Sequence, residues 1–223
     1  MISYVILALL VIFLVFIISR FRPAATQKIT DNLYAVRCGI VNFYALTTSF
    51  GVVLFDTGLS PAIAKRGLSK LGISPDQVTH VFLTHTDFDH AGGLAAFPRA
   101  KCILSKAEEQ MINGETRRRG FLHNSLHLPY STMADGETTV VGGNEIKLIL
   151  NPGHTPGSSS YLINKRILAC GDLLRVSRKG TFLPFLWLMN MNHQQDIKSM
   201  EAIKPVLNSA SYILTGHTGV YKK

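Results

Sequence analysis

The sequence predicts an α/β domain whose sheets are covered by helices, preceded by an apolar N-terminal helix that reads as a membrane anchor. Three observations carry this. Ile2 to Ile18 is apolar apart from Ser3 and Tyr4, and no charge appears until Arg20. Three short β-branched or aromatic runs separated by turn residues then lead to Phe55, the pattern of consecutive strands. Beyond them, strand-like runs alternate with segments of helical spacing, as in sheets covered by helices.

The first element rests on length. About 17 to 19 helical residues rising 1.5 Å each span roughly 26 to 28 Å, close to the hydrocarbon thickness of a bilayer. A cleaved signal peptide is the competing reading, but nothing basic precedes the run and Pro23-Ala24-Ala25 is a poor cleavage site. Arg20, Arg22 and Lys28 follow it, so the positive-inside rule keeps the C-terminal bulk in the cytoplasm. The expectation is a single-pass cell-membrane protein, with residues 1–22 as transmembrane anchor, 23–31 as linker and 32–223 as one cytoplasmic domain.

Within that domain the first strands are Asn32 to Arg37, Val41 to Thr47 and Gly51 to Phe55, closed by Asp56-Thr57-Gly58. Ser60 to Leu71 has helical spacing, with Ser60 as N-cap, Pro61 at N1 and Gly72 at the end. Val78 to Leu83 is a buried-type strand that runs into a His/Asp-rich turn. Gly92 to Phe97 reads as a short helix and Ala100 to Leu104 as a strand. Ser105 with Glu108 has the form of a capping box opening a helix toward Asn113. After a loop-rich stretch, strands follow at Thr138 to Val141 and Lys147 to Leu150, Tyr161 to Leu168 reads as a hairpin or strand, and another strand ends at Gly171-Asp172. Thr181 to Met191 is aromatic and Met-rich, and Pro184 argues for a lip beside a site over a regular helix. Asp196 to Leu207 is a helix with Ile197, Met200, Ile203 and Val206 on one face, and Tyr212 to Leu214 is the last strand.

With 223 residues, 47% hydrophobic and 17% charged, the chain can bury one well-packed domain, and disorder is excluded. Three cysteines, an odd number, imply no disulfide framework. The formal charge is +9. Without Arg20 and Arg22 the domain keeps about +7, which suits an anionic surface. The dense cluster Arg117-Arg118-Arg119 reads as solvated surface, and no nucleic-acid partner is expected.

The chemistry-bearing residues gather in four places. His85-Thr86-Asp87-Phe88-Asp89-His90 offers four ligand-type side chains on one turn, and imidazole with carboxylate suits Zn, Fe or Mn. His154 sits in Gly153-His154-Thr155-Pro156-Gly157, Asp172 follows Gly171, and His217 follows Gly216. Each lies where a strand gives way to a loop, and strand ends on one edge of a sheet point to one region. His80, His123, His127 and His193 have no such setting. Cys170 would share a strand face with Asp172 but reads as a small buried side chain.

These motifs, in this order and with these spacings, resemble the metallo-β-lactamase-fold hydrolase superfamily over about Asn32 to His217. The resemblance implies a four-layer αββα sandwich with a dinuclear metal site at one edge of the two sheets. By matched position it places His85 and His154 at a first metal and Asp89, His90 and His217 at a second, with Asp172 bridging. Asp87 stands where the pattern usually has a third histidine at the first metal, and is carried over as a ligand. The implied cofactor is two divalent metal ions, zinc first. The carboxylate of Asp87 adds charge and a harder donor, which widens tolerance toward Mn or Fe; the alternative is that this shorter side chain fails to reach and one metal is bound.

The implied reaction is metal-assisted hydrolysis of an ester, lactone, thioester or phosphoester by a metal-bound hydroxide, with Asp89 positioning the water and shuttling its proton. Asp56 is expected to support the ligands from behind. The expected substrate is a small or acylated molecule. A β-lactam is not expected for a cytoplasmic domain, because the targets of those drugs lie outside. Three other functions on this fold compete: a diiron redox protein, since related diiron proteins carry a carboxylate at the place of Asp87, a nucleic-acid-directed hydrolase or binder, and a non-catalytic binding module.

Overall fold

The computed structural model describes residues 2–223. Its first element, α1 (Ile2–Ile18), is 17 residues long. At 1.5 Å per residue that is about 26 Å, against a hydrocarbon core of about 30 Å. Among the described residues no helix is long and apolar enough to cross a membrane. The expected anchor, its membrane partner and the single-pass, cytoplasm-facing placement are therefore corrected. The helix unwinds after Ile18, and the residues that follow belong to the domain surface. The Arg22 amide donates to the carbonyl of His217, and the Phe21 ring stacks on the His217 ring at 4.2 Å. Asn42, fully buried, exchanges hydrogen bonds with the backbone of Ala24 at 2.7 and 3.0 Å.

Two sheets then form. The first takes its strands in chain order: β1 (Gln27–Lys28), β2 (Leu33–Cys38), β3 (Val41–Thr48), β4 (Gly51–Phe55), β5 (Val78–Phe82), β6 (Lys101–Ser105) and β7 (Tyr130–Met133). The second is built from β8 (Thr138–Val141), β9 (Asn144–Leu150), β10 (Ser159–Ile163) and β11 (Ile167–Gly171). A small ribbon of β12 (Leu174–Val176) and β13 (Phe182–Pro184) intervenes before β14 (Tyr212–Thr215) and β15 (Gly219–Lys222) complete it. Its order is β15-β14-β11-β10-β9-β8.

Alternation along the strands explains the layering, because successive side chains point to opposite faces. In β4, Val53 and Phe55 point into a core shared with Leu148, Tyr161 and Leu214 of the second sheet. Val52 and Leu54 point the other way, onto Ala64 and Leu68 of α2 (Pro61–Ser69). On the far side, Leu168, Cys170 and Ile213 pack against Met200, Ile203 and Leu207. Helix, sheet, sheet and helix thus bury three apolar seams, the αββα sandwich. Strands buried on both faces read as near-continuous apolar runs, which is why they were visible in the sequence.

Two short helices follow β5 and β6: α3 (Phe88–Ala91) and α4 (Glu109–Ile112). The C-terminal helical region is two helices, α5 (His193–Ala202) and α6 (Lys204–Ser209). Pro205 has no N–H and stands at the start of the second, so the expected single helix divides there. Ile197 is exposed and the inward face is Asp196, Ser199, Met200, Ile203 and Leu207. The capping box at Ser105 is likewise not formed: its hydroxyl donates to the carbonyl of Gly157, and Glu108 serves the site below.

β4, β5 and β6 run parallel, as do β11 and β14, so their C-terminal ends share one edge of the sandwich. Two buried tyrosines join the sheets at that edge. Tyr161 donates to the carbonyl of Leu83 at 2.8 Å, and Tyr44 to that of Thr215 at 2.7 Å.

Candidate metal centre

Every ligand-type residue singled out in the sequence lies at this edge. His85 follows β5, Asp87 stands at the N-terminus of α3 without capping it, and Asp89 and His90 lie on its single turn. His154 comes from the loop between β9 and β10, Asp172 from the end of β11 and His217 from the end of β14. Three overlapping groups can each converge on one point: His85, Asp87 and His154; His85, His90 and Asp172; and Asp89, His90 and His217. Gly216 has to be glycine here, since a Cβ would lie 2.4 Å from Asp172 Oδ1 and 2.8 Å from His90 Cε1. His80, His123, His127 and His193 fall outside these groups. So does Cys170, whose thiol donates to the carbonyl of Leu214.

All four imidazoles are held from behind by Nδ1. His217 Nδ1 lies 2.8 Å from the carbonyl oxygen of Ile40, and His154 Nδ1 lies 3.0 Å from Asn190 Oδ1. His90 Nδ1 lies 2.8 Å from Asp56 Oδ2. His85 Nδ1 lies 3.0 Å from Thr84 Oγ1, whose own hydrogen goes to Asp56. These partners accept, so each Nδ1 carries the hydrogen and each Nε2 is turned inward. Orienting the second nitrogen in this way is how proteins prepare a histidine for a metal.

What the inward atoms meet is the test of whether a metal fits. Nε2 of His85, His90 and His217 and Oδ1 of Asp172 are buried with no hydrogen-bond partner. Orphaned polar atoms of this kind are costly unless something pairs with them. His85, His90 and Asp172 converge on one point and His90 and His217 on a second with Asp89, and such imidazole and carboxylate donors match a divalent cation.

The electrostatics agree. Burial pushes Asp172 and Asp89 toward the neutral acid, but neighbouring His90 and His217 outweigh it and hold both carboxyls below the usual range. Burial disfavours protonated His217, yet Asp172 and Asp89 raise its pKa to about 9. His90 is raised against burial in the same way by Asp172, Asp56 and Asp89, whereas burial and the His90 charge keep His85 well below the usual imidazole range.

Four residues of the site escaped sequence reasoning. Glu108 is fully buried and accepts from Thr86 N and Oγ1 at 2.8 and 2.7 Å and from Thr155 Oγ1 and Gly157 N at 2.6 and 3.1 Å. It ties the loop of His85 to the loop of His154. Gly157 lies so close that a Cβ would be 2.1 Å from Glu108 N. Asn124 donates to Asp87 Oδ1 at 3.0 Å, and Asn190 orients His154. Arg118 turns inward from the basic cluster: Nη2 lies 2.6 Å from Asp87 Oδ2, and Nη1 donates to the carbonyl of Met189. Burial favours the neutral acid at Asp87, but His154, His85 and Arg118 hold its carboxyl well below the usual range.

Aromatic rings border the cluster. Phe185 meets the His154 ring edge-on at 5.2 Å and lies 6.2 Å from Phe21, which covers His217. Phe88, Phe121, Leu122 and Trp187 are exposed. A cavity of about 270 Å³ opens beside Trp187, lined by Phe16, Ile17, Leu186 and Leu188 with Arg20 and Arg175.

A sequence profile of the metallo-beta-lactamase superfamily matches residues 36–217. The chain belongs to that superfamily. It is a metallo-hydrolase of that family. A Mycobacterium bovis protein named probable metallo-hydrolase is 27% identical over 208 residues, covering 70% of this chain and 67% of its own length. The N-acyl homoserine lactonase of Bacillus thuringiensis is 28% identical over 147 residues, 54% of this chain and 56% of that one. Among solved structures, the subclass B3 metallo-beta-lactamase of Bradyrhizobium japonicum superposes with a TM-score of 0.66 at 20% identity, covering 89% of this chain and 79% of that one. A B3 enzyme described as the first with an active site glutamic acid gives 0.66 at 21%, with 92% and 85% covered. These likenesses establish the sandwich for both.

Proposed function

We propose that the protein hydrolyses a carboxylic ester or lactone bearing an apolar acyl group, with divalent metal held in the His/Asp cluster. The observation that carries this reading is the aromatic wall set directly on that cluster, Phe21 on His217 and Phe185 on His154. The cavity beside Trp187, lined by neighbours of Phe21 and Phe185 in the chain, offers apolar side chains to an acyl group, with Arg20 and Arg175 also in its lining. The relative named for an N-acyl homoserine lactone supports the same class.

Asp89, His90 and His217 would hold one cation, and His85, Asp87 and His154 frame a first position beside it, with Asp172 between the two. Imidazole and carboxylate donors suit zinc. A bound cation supplies Lewis-acid polarisation of the scissile carbonyl and a nucleophile available near neutral pH. Asp89, ionised and only partly covered, can hold the proton of the attacking water on a carboxylate oxygen and return it to the leaving alkoxide. Asp56 and Asn190 keep His90 and His154 in register, and the rings of Phe21 and Phe185 exclude water and seat the acyl chain.

The test is a substrate panel on metal-loaded protein: nitrophenyl esters of rising chain length, acyl lactones, a phosphodiester and a β-lactam. The topological argument against a β-lactam falls with the anchor, so that arm is needed. Activity should rise with acyl length, and Phe21→Ala should lose that rise while keeping short-chain turnover. Activity confined to the phosphodiester or the β-lactam overturns the acyl reading, and inactivity across the panel overturns hydrolysis by this cluster.

A further inference from the structure

The cluster is asymmetric. On one side His90 Nε2, His217 Nε2 and Asp172 Oδ1 are buried without a hydrogen-bond partner, as is His85 Nε2, which belongs to a ligand group on each side. On the other, the inward atoms of Asp87 and His154 already have a cation. Arg118 Nη2 lies 2.6 Å from Asp87 Oδ2, 3.3 Å from the carbonyl of His154 and 3.4 Å from His154 Nε2. Its second amino group is fixed by the carbonyl of Met189. Asn124 holds the other oxygen of Asp87.

The arm that carries Arg118 is itself tied down. Thr116 donates to Gln110 of α4 through both its backbone N–H and its hydroxyl, and the Asn124 amide donates to the carbonyl of Met111. Between them Arg118 and Leu122 pair across a tight turn, with Arg119 and Gly120 in the left-handed region at φ +54° and +77°. Arg117 and Arg119, by contrast, face outward.

We propose that Arg118 is the resident cation of the first position: its guanidinium occupies the place between Asp87 and His154, keeps a second metal ion out, and leaves the protein with one divalent ion on the Asp89, His90, His217 and Asp172 side. This rests on the metal-dependent reading above. Charge supports it. The three carboxylates facing the centre, Asp87, Asp89 and Asp172, are balanced by one divalent ion together with one guanidinium. Two divalent ions beside Arg118 would leave the same buried space with two surplus positive charges, which a low-dielectric interior penalises. The replacement of an imidazole by Asp87 then has a structural meaning. A neutral histidine would bring no charge to the guanidinium, whereas the Asp87 carboxylate accepts a charge-assisted hydrogen bond from Nη2.

The experiment is elemental analysis of full-length protein after zinc loading and desalting, for the wild type, Arg118→Ala and Asp87→His, with chelator competition to measure affinity and melting curves to confirm folding. One ion per wild-type chain is expected, and two in each variant. The first-position affinity of Arg118→Ala should rise by about 10- to 100-fold, the range over which neighbours of a ligand act. Because guanidinium stays charged at all ordinary pH, the wild-type count should remain one when the titration is repeated at higher pH. Two ions in the wild type overturn the assignment and leave the hydrolase reading intact. One ion in the wild type and in folded Arg118→Ala also overturns it, since something other than Arg118 then limits the count. No ion in any chain overturns both. The wild-type count stands alone as a test should either variant fail to fold.

Discussion

Replacing Asp56 by Asn keeps the size of the side chain and a residue tolerant of the left-handed backbone at φ +62°, yet it inverts one hydrogen bond. Oδ1 of Asp56 accepts from Thr84 N at 2.8 Å, and Oδ2 faces His90 Nδ1 at 2.8 Å and Thr84 Oγ1 at 2.9 Å. An amide has one oxygen to offer. If that oxygen stays on the backbone N–H of Thr84, the amino group confronts His90 Nδ1–H, and the imidazole can escape only by moving its hydrogen to Nε2. That atom points into the cluster, 3.3 Å from Asp172 Oδ1, and a protonated nitrogen cannot ligate.

Loss of such a supporting partner costs about 10- to 100-fold in metal affinity. That corresponds to about 1.4 to 2.7 kcal/mol. Losing the charged acceptor also lowers metal-free stability by about 1 to 3 kcal/mol, or a few degrees to about 12 °C in Tm at 2 to 4 °C per kcal/mol. Zinc titration against a competing chelator reads the first quantity, and melting in excess chelator reads the second. Metal affinity within about threefold of wild type in folded Asp56→Asn would refute the claim that Asp56 sets the proton on His90, since the threshold lies well below the range expected.

Glu108→Ala strands the buried N–H groups of Thr86 and Gly157, at about 1 to 3 kcal/mol each, while relieving the burial that pushes this carboxyl up. A net loss near 2 to 4 kcal/mol should lower Tm by about 4 to 16 °C, and an unchanged melting curve would remove Glu108 as the link between the two loops. For pH, His217 is raised to about 9 because Asp172 and Asp89 outweigh burial. Its contribution to metal-free stability is thus full below about 6.5, the unfolded value, and fades as pH climbs to about 9. Metal must displace that proton, so zinc affinity should strengthen through the same window. A pH-independent affinity contradicts the geometry. Gly216→Ala drives a methyl into Asp172 and His90. Metal affinity about tenfold weaker or worse is expected, and wild-type affinity would show that the two side chains can yield.

Much of the fold was legible because its strands are buried on both faces and so stand out as apolar runs, and because Ser60 does cap α2 with Pro61 behind it. The ligand-type residues were legible because each follows a strand whose end lies on one edge. Three things were hidden. The length of α1 looked sufficient by hydropathy alone, while the commitment of Phe21 and Arg22 to the domain is a tertiary fact. Glu108 imitated a capping box, since a buried acid and a cap share the same local spacing. Arg118 differs from Arg117 and Arg119 only by the turn that aims it inward, and no local pattern distinguishes the three.

The ligand-type residues descend from different halves of the molecule. His85, Asp87, Asp89 and His90 hang from the first sheet, and His154, Asp172 and His217 from the second. A cation gripping both sets is a rivet through the sandwich, and its binding energy enters the folding equilibrium directly. At free metal about 100-fold above Kd, that is about 2.7 kcal/mol of added stability. Metal supply would then govern how much folded chain persists, so starvation shortens the protein's lifetime at the same time as it stops turnover.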